Sequence, residues 1–118
     1  MNLISSLTFG VCLLGTSCSL HKHQTPPEGH QPIFENERVR VMKIVNPPGG
    51  KIPLHNHDLP GVIIVHRTAN NIVRDAQGET VSRGAPPEGA AWVEAHGPLY
   101  SIENIDDHTM LLYRIELK

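Results

Sequence analysis

Two histidines, His55 and His57, are separated by one residue and stand shortly before the apolar run Val62–Val65. Side chains alternate between the two faces of a β-strand, so residues two apart point the same way. If this segment is extended, both imidazoles face one volume while Asn56 faces the other side. Two neutral imidazoles on a common face supply half of a typical transition-metal site. The alternative interpretation is a pair of solvated histidines at the end of a strand.

The elements that position this pair must come from a short chain rich in turns. The chain has 118 residues, with ten Gly and ten Pro, which is enough for one small domain. Gly and Pro at this density disfavour a helical bundle and favour short strands. The formal charge of −2, without a block of basic residues, gives no electrostatic basis for binding nucleic acid.

From Ile33 onward the sequence predicts a succession of short strands and no helix. The predicted strands are rich in β-branched or alternating residues and are bounded by Pro, Gly, Asn or Asp. They lie at residues 38–45, 51–54, 61–65, 71–74, 79–83, 91–94, 100–104 and 109–117. A turn at Asp75–Gly78 is expected to join two of them in a hairpin. This pattern predicts an all-β jelly roll or small sandwich.

Strand alternation also predicts which side chains share a face. The last strand should have an apolar face and a charged face, with Leu112 as an exception. Leu111, Tyr113, Ile115 and Leu117 lie on the first, and Arg114, Glu116 and Lys118 on the second. His66 shares the parity of Ile64 and is expected to be buried. Arg38, Arg40 and Arg67 are expected on solvated faces.

Residues 1–20 are interpreted as an export signal. A short apolar region without acid or base is followed by small residues, as at a signal peptidase site, and it is too short for a permanent membrane span. Cys18 follows Gly15-Thr16-Ser17, which resembles a bacterial lipoprotein box, so lipid attachment at Cys18 is an alternative. Both cysteines, Cys12 and Cys18, lie in this segment, so residues 21–118 offer no thiol or disulfide.

Residues 21–32 are polar and Pro-rich, which predicts a tether between the signal and a domain at 33–118. The tether contains His21, His23 and His30. These three side chains could bind a stray metal ion, but a solvated linker is the preferred interpretation.

The order of several short motifs in residues 33–118 resembles that of a small single-domain cupin of the RmlC-like kind. The motifs are Phe34–Val41, Pro48-Gly49-Gly50, His55-Asn56-His57, Trp92–Ala95, Ser101–Asn104 and Arg114–Lys118. The resemblance implies a double-stranded β-helix, that is, a jelly-roll barrel with a site inside its mouth. Cupins have two sequence motifs, G-x5-H-x-H-x3,4-E-x6-G and a second that ends in H-x3-N. Together these supply three His and one Glu to a divalent metal.

The match to those motifs is partial. Gly49, Gly50, His55, His57 and Asn104 correspond to them, so the resemblance implies that His55 and His57 bind a divalent ion such as Fe, Mn, Ni or Zn. Gly61 or Val62 stands where the Glu ligand is expected, and Tyr100 stands in the position of the third His. The candidate further ligands are Tyr100, through its phenolate, His96, from the loop before it, and Asp58, if the chain turns directly after it.

Three classes of function remain open from the sequence. The first is a metal-dependent enzyme, similar to a dioxygenase or an isomerase, with Glu94 as a candidate catalytic base. Trp92, Glu94 and Tyr100 are the candidate substrate-binding residues, although Glu94 can instead pair with an arginine such as Arg114. The second is an exported protein that binds a small ligand without metal. The third is a structural or sensing module. The resemblance also implies pairing of two copies through their outer strands.

The interpretation of residues 1–20 leads to a prediction about location. Met1–Ser17, or the segment to Ser19, is expected to be removed on export, so fractionation of the native host should place the mature protein outside the cytoplasm. If Cys18 carries lipid, Cys18→Ser should release the protein from the membrane fraction. Intact Met1 on cytoplasmic protein would contradict the export interpretation.

Overall fold

The computed structural model describes residues 25–94 and 97–118, and these residues form nine β-strands and no helix. The predicted signal segment, both cysteines, His21, His23 and His96 lie outside the described residues. The strands are β1 (His30–Glu35), β2 (Val39–Asn46), β3 (Lys51–His55), β4 (Gly61–Arg67), β5 (Asn71–Asp75), β6 (Thr80–Gly84), β7 (Ala91–Glu94), β8 (Tyr100–Asn104) and β9 (Met110–Leu117). Among the described residues there is therefore no helix long and apolar enough to span a membrane.

The strands form two antiparallel sheets, one in the order β1-β2-β9-β4-β7 and the other in the order β3-β8-β5-β6. The all-β prediction is confirmed. The hairpin of β5 and β6 closes as expected, with the Gly78 amide donating to the Asp75 carbonyl at 3.0 Å. Strand β1 was not predicted: residues 30–32, which we assigned to the linker, form its first half.

The core lies between the two sheets and is aliphatic. Its buried members come mainly from alternate positions of β2, β3, β4 and β9, as expected when one face of each strand is covered. They include Ile44, Ile52, Ile63, Val65, Met110 and Leu112, with Ile102 of β8 packed against them. Several of these residues, including Ile44, Ile63 and Met110, also line a cavity between the sheets.

Alternation separates the two faces of β9 as predicted, and the buried face is the one that carries Met110, Leu112, Arg114 and Glu116. Two expectations about single side chains were wrong. Arg40, expected in solvent, is only 4% exposed, whereas His66, expected in the core, is exposed. Alternation correctly separates the two faces of a strand, but it cannot tell which face is interior when buried charges neutralise one another.

Asn104 joins the turns beneath the sheet that contains β8. Its side-chain amide donates to the carbonyls of Asn46 and His108, both at 2.9 Å, and its Oδ1 accepts from the Asp106 amide. Its backbone exchanges two hydrogen bonds with the Gly49-Gly50 turn. Asn104 is fully buried, so these bonds have no competition from water. Asn104, which matches the cupin motif, thus has a structural role in this chain.

This role predicts that Asn104→Ala lowers the free energy of unfolding by about 2–4 kcal/mol, because two carbonyls and one amide lose a buried partner. Urea denaturation followed by circular dichroism measures the change. Asn70→Ala is the matched control, since the Asn70 side chain bonds Asp106 at the exposed surface, and it should cost less than about 1 kcal/mol. Equal losses in the two variants would contradict the assignment.

Candidate functional site

Three imidazoles, of His30, His55 and His57, form a compact cluster at one end of the barrel. Their ring centroids are 5.1 Å apart for both pairs that include His30 and 5.2 Å apart for His55 and His57. One ring nitrogen from each residue lies within 4.8 Å of the other two. The rings therefore form a nearly regular triangle, which is a suitable arrangement of three nitrogen ligands for one metal ion.

Strand β1 brings His30 to the pair. His30 lies opposite Ile44 of β2, and the preceding Gly29 has a φ of 83°. A Cβ on Gly29 would approach Ile52 of β3 to 3.2 Å, so a residue without a side chain lets the chain pass close to β3. His55, at the end of β3, and His57, just beyond it, are then within reach of His30.

The hydrogen bonds of the three rings set their tautomers. His30 Nδ1 lies 3.1 Å from the Glu28 carbonyl oxygen, His55 Nδ1 lies 2.8 Å from the Pro53 carbonyl oxygen, and His57 Nδ1 lies 3.2 Å from Glu116 Oε2. Carbonyl and carboxylate oxygens only accept, so each Nδ1 carries the proton and donates it. The lone pair of each ring is therefore on Nε2, which is the atom left for a metal. Hydrogen bonds of this kind orient histidine ligands in metal sites.

The environment keeps at least two of these rings neutral. Burial, aided by the nearby His57 and His55, lowers the pKa of His30 to about 4. Burial also lowers the pKa of His55 from its ordinary value. The Nε2 atom of His55 is buried and has no hydrogen-bond partner among the described residues. A buried lone pair without a donor is costly unless something else occupies that position, and a cation is the group that fits it.

Glu116 is the carboxylate behind His57, and two arginines hold it. Arg40 contacts its Oε1 at 2.6 and 2.7 Å, and Arg114 Nε contacts its Oε2 at 3.3 Å. All three residues are at most 4% exposed. Burial alone would raise the pKa of Glu116, but the hydrogen bonds with His57 and Arg40 outweigh burial and lower it to about 2. The carboxylate is therefore ionised and is a strong acceptor for the His57 ring.

Gly61, one of the two positions where the family's Glu ligand was expected, has a structural reason to lack a side chain. A Cβ at Gly61 would lie 2.9 Å from the Ile115 carbonyl oxygen and 3.1 Å from Arg114 Cζ. The space that a side chain would enter is thus filled by the guanidinium of Arg114. A glutamate side chain at Gly61 is therefore incompatible with the inward-facing guanidinium of Arg114.

Arg114 links this buried cluster to a second carboxylate, that of Glu94. Its Nη1 donates to Glu94 Oε1 at 2.7 Å, and its Nη2 donates to the Leu59 carbonyl at 2.7 Å. The Tyr100 hydroxyl also donates to Glu94 Oε1, at 3.2 Å. Burial raises the pKa of Tyr100, and the charge of Glu94 raises it further. Tyr100 is therefore a neutral donor to Glu94 here, whereas a metal-binding phenolate would require its deprotonation.

A cavity of about 720 Å³ lies between the sheets beside this network. His30, Glu94 and Tyr100 line it at the polar end, and Trp92 lines it from β7. Most of its remaining wall is apolar. That wall includes Ile44, Ile63, Val73, Ile102, Met110 and Leu112. The arrangement offers a hydrophobic chamber next to three imidazoles and a carboxylate, which suits a small organic molecule.

The structure brings together most of the residues selected from the sequence. His55 lies opposite Tyr100 in the β3–β8 register, and their rings are 4.6 Å apart. Glu94 and Trp92 line the cavity with Tyr100, and Glu94 also pairs with Arg114. His96 lies outside the described residues.

Sequence reasoning missed two participants, His30 and Glu116. His30 was assigned to the linker because β1 is an exposed edge strand, whose residues show no apolar alternation. Glu116 was placed on the charged face of β9, and alternation alone does not show which face is buried. The signal that could have located Glu116 is the shared parity of Arg114 and Glu116 with Leu112 and Met110.

Comparisons with known proteins agree with this fold. No family model and no curated protein matches the sequence. A cupin domain of known structure from Bordetella pertussis Tohama I is 25% identical, with a TM-score of 0.67, and the match covers 80% of this chain and 99% of that one. An RmlC-like cupin family protein with a double-stranded β-helix fold from Methanocaldococcus jannaschii is 17% identical, with a TM-score of 0.60 and coverage of 81% and 84%.

A third structural neighbour is the polyketide cyclase RemF from Streptomyces resistomycificus. It is 17% identical, with a TM-score of 0.59, and the match covers 81% of this chain and 70% of that one. The two antiparallel sheets, the cavity between them and these structural neighbours lead to one conclusion about the fold. The chain has the double-stranded β-helix fold of small cupin-domain proteins.

Proposed function

We propose that this protein is an exported cupin that binds one divalent transition metal through His30, His55 and His57. In this proposal it uses the metal as an enzyme of the dioxygenase or isomerase type on a small molecule in the cavity. Fe, Mn, Ni and Zn all accept imidazole nitrogen, so the donor set does not select among them. His30 takes the place of the third ligand that the sequence left to Tyr100 or His96.

One observation carries the metal proposal: each of the three rings donates through Nδ1 to an oxygen that can only accept. The rings are thereby oriented with Nε2 as the remaining ligand atom. Solvated histidines would have no reason to share this pattern, since water can both donate and accept. Three protein nitrogens with an open position are the arrangement of a catalytic rather than a structural metal site.

The chemistry of such a site follows from its charges. Three neutral imidazoles do not cancel the charge of a divalent ion, so a bound metal would polarise an oxygen of the substrate as a Lewis acid. Within the buried ion-pair network the charges cancel one another, because Glu116 and Glu94 balance Arg40 and Arg114. Glu94, which is held by Arg114 and lines the cavity, is placed to accept a proton from a substrate there.

The alternative is a small-ligand binding protein without metal. The size of the cavity and its largely apolar wall favour it, since these are the features of a small-molecule binding site. In that case the imidazoles and Tyr100 only orient the ligand by hydrogen bonds. Metal binding separates the two functions, since the alternative requires none. The structural neighbour that is a polyketide cyclase supports the enzymatic function, because it is an enzyme with a similar fold.

The metal proposal predicts that the chelator-treated protein binds one equivalent of Zn²⁺ or Ni²⁺ per chain in isothermal titration calorimetry. His30→Ala and His55→Ala should each weaken binding by at least about 100-fold, because loss of a ligand exceeds the ~10- to 100-fold effect of losing its supporting partner. The His30 variant is the decisive one, since it tests the ligand that the sequence did not indicate.

Two controls accompany this titration. His66→Ala removes an exposed histidine that contacts only Tyr113 among the described aromatic rings, and it should leave the affinity unchanged. A His21→Ala, His23→Ala double variant removes the histidines of the predicted tether and should also bind as the wild type does. Unchanged binding by His55→Ala would place the ion outside the cluster, and a folded wild type that binds no metal would favour the alternative function.

A further inference from the structure

The two oxygens of Glu94 have different surroundings. Oε1 accepts from the Tyr100 hydroxyl at 3.2 Å and from Arg114 Nη1 at 2.7 Å. No group in residues 25–94 or 97–118 donates to Oε2. The side chain is 29% exposed, and it lines the cavity. One oxygen thus fixes the carboxylate, while the other remains an open acceptor.

The position of this acceptor in the barrel is defined by β7. Glu94 and Trp92 are two residues apart, opposite Gly61 and Ile63 of β4, so they share the inward face of the sheet. Trp92 is 40% exposed and presents part of its indole to the same cavity. An aromatic ring surface therefore lies beside an unused carboxylate oxygen.

We propose that Glu94 Oε2 and Trp92 form a subsite for a planar, apolar molecule that bears a hydroxyl group, such as a phenol or an enol. The ring of this molecule stacks on Trp92 and the aliphatic wall, and its hydroxyl donates to Oε2. The proposal deepens the proposed function, because it names the substrate class of the same cavity.

Charge compensation explains why the ligand is a neutral hydroxyl compound and not an amine. Arg114 is fully buried and already contacts Glu94, so the pair presents no net charge to the cavity. A cationic ligand would lose its hydration against the apolar wall and would lie near the guanidinium of Arg114. Its attraction to Glu94, which already pairs with Arg114, does not offset that cost. A neutral hydroxyl requires only an acceptor, and hydrogen bonds to charged acceptors are stronger than those between neutral groups.

The test compares two probes that differ only in the donor, 2-naphthol and 2-methoxynaphthalene. Calorimetry on the chelator-treated full chain gives both affinities without a metal that could bind the hydroxyl. Trp92 is the only tryptophan of the chain, so a change in its fluorescence shows that each probe reaches the cavity. The wild type should bind 2-naphthol about 10-fold more tightly than its methyl ether.

The decisive variant is Glu94→Gln, which keeps the shape of the side chain. Arg114 and Tyr100 both donate, so they hold the amide oxygen and leave the amide nitrogen, a donor, in the open position. The preference for 2-naphthol should then fall to within about two-fold, because both probes carry an acceptor oxygen. The affinity for 2-methoxynaphthalene should stay within about two-fold of the wild-type value, which also shows that the cavity is intact.

Glu103→Gln is the matched control. Glu103 is also a carboxylate held by an arginine, at 2.8 Å from Arg74, but it does not line the cavity. This variant should keep the full preference for 2-naphthol. A preference that survives in Glu94→Gln, or that appears only in Zn²⁺-loaded protein, overturns the proposal. Absence of a preference, or of binding, in the wild type does so as well.

The outcome is separable from that of the metal titration. If the protein binds no metal but the preference depends on Glu94, the metal-dependent function fails and the subsite stands. If metal binds through His30 and His55 but Glu94→Gln changes nothing, the metal site stands and the subsite fails.

Discussion

The ion pairs of Glu116 are the interaction on which the rest of this site depends. A buried carboxylate is tolerated only when its charge is neutralised and its oxygens are bonded, and here Arg40, Arg114 and His57 meet both conditions. Removing one member of a buried ion pair typically costs ~3–5 kcal/mol, which is a large part of the stability of a small domain. The imidazole of His57 is thus oriented by a group that the protein cannot easily lose.

The same network reaches the cavity through a second ion pair, that of Arg114 with Glu94. Arg114 contacts Glu116 on one side and Glu94 on the other, so the carboxylate that lines the cavity is held by a residue without solvent contact. Gly61 makes this possible, since any side chain there would meet the guanidinium.

The sequence predicted those features that depend on residues close together in the chain. Residues two apart on one strand share a face, so the convergence of His55 and His57 followed from their spacing alone, and the opposition of Tyr100 followed from the cupin resemblance. The all-β fold followed from β-branched runs and Pro/Gly turns. His30 could not be found this way, because an exposed edge strand carries no hydrophobic period. The burial of Arg40 could not be found either, because it depends on Glu116 of a different strand.

The place of His30 at the start of β1 has a mechanical consequence. β1 belongs to the edge of its sheet and pairs only with β2, and five of its six residues are exposed, so little apolar packing secures it. An ion bound by His30, His55 and His57 would act as a removable cross-link, because it would join two segments that are distant along the chain. Metal binding would then raise the local stability of β1, which is held by little packing when no ion is bound.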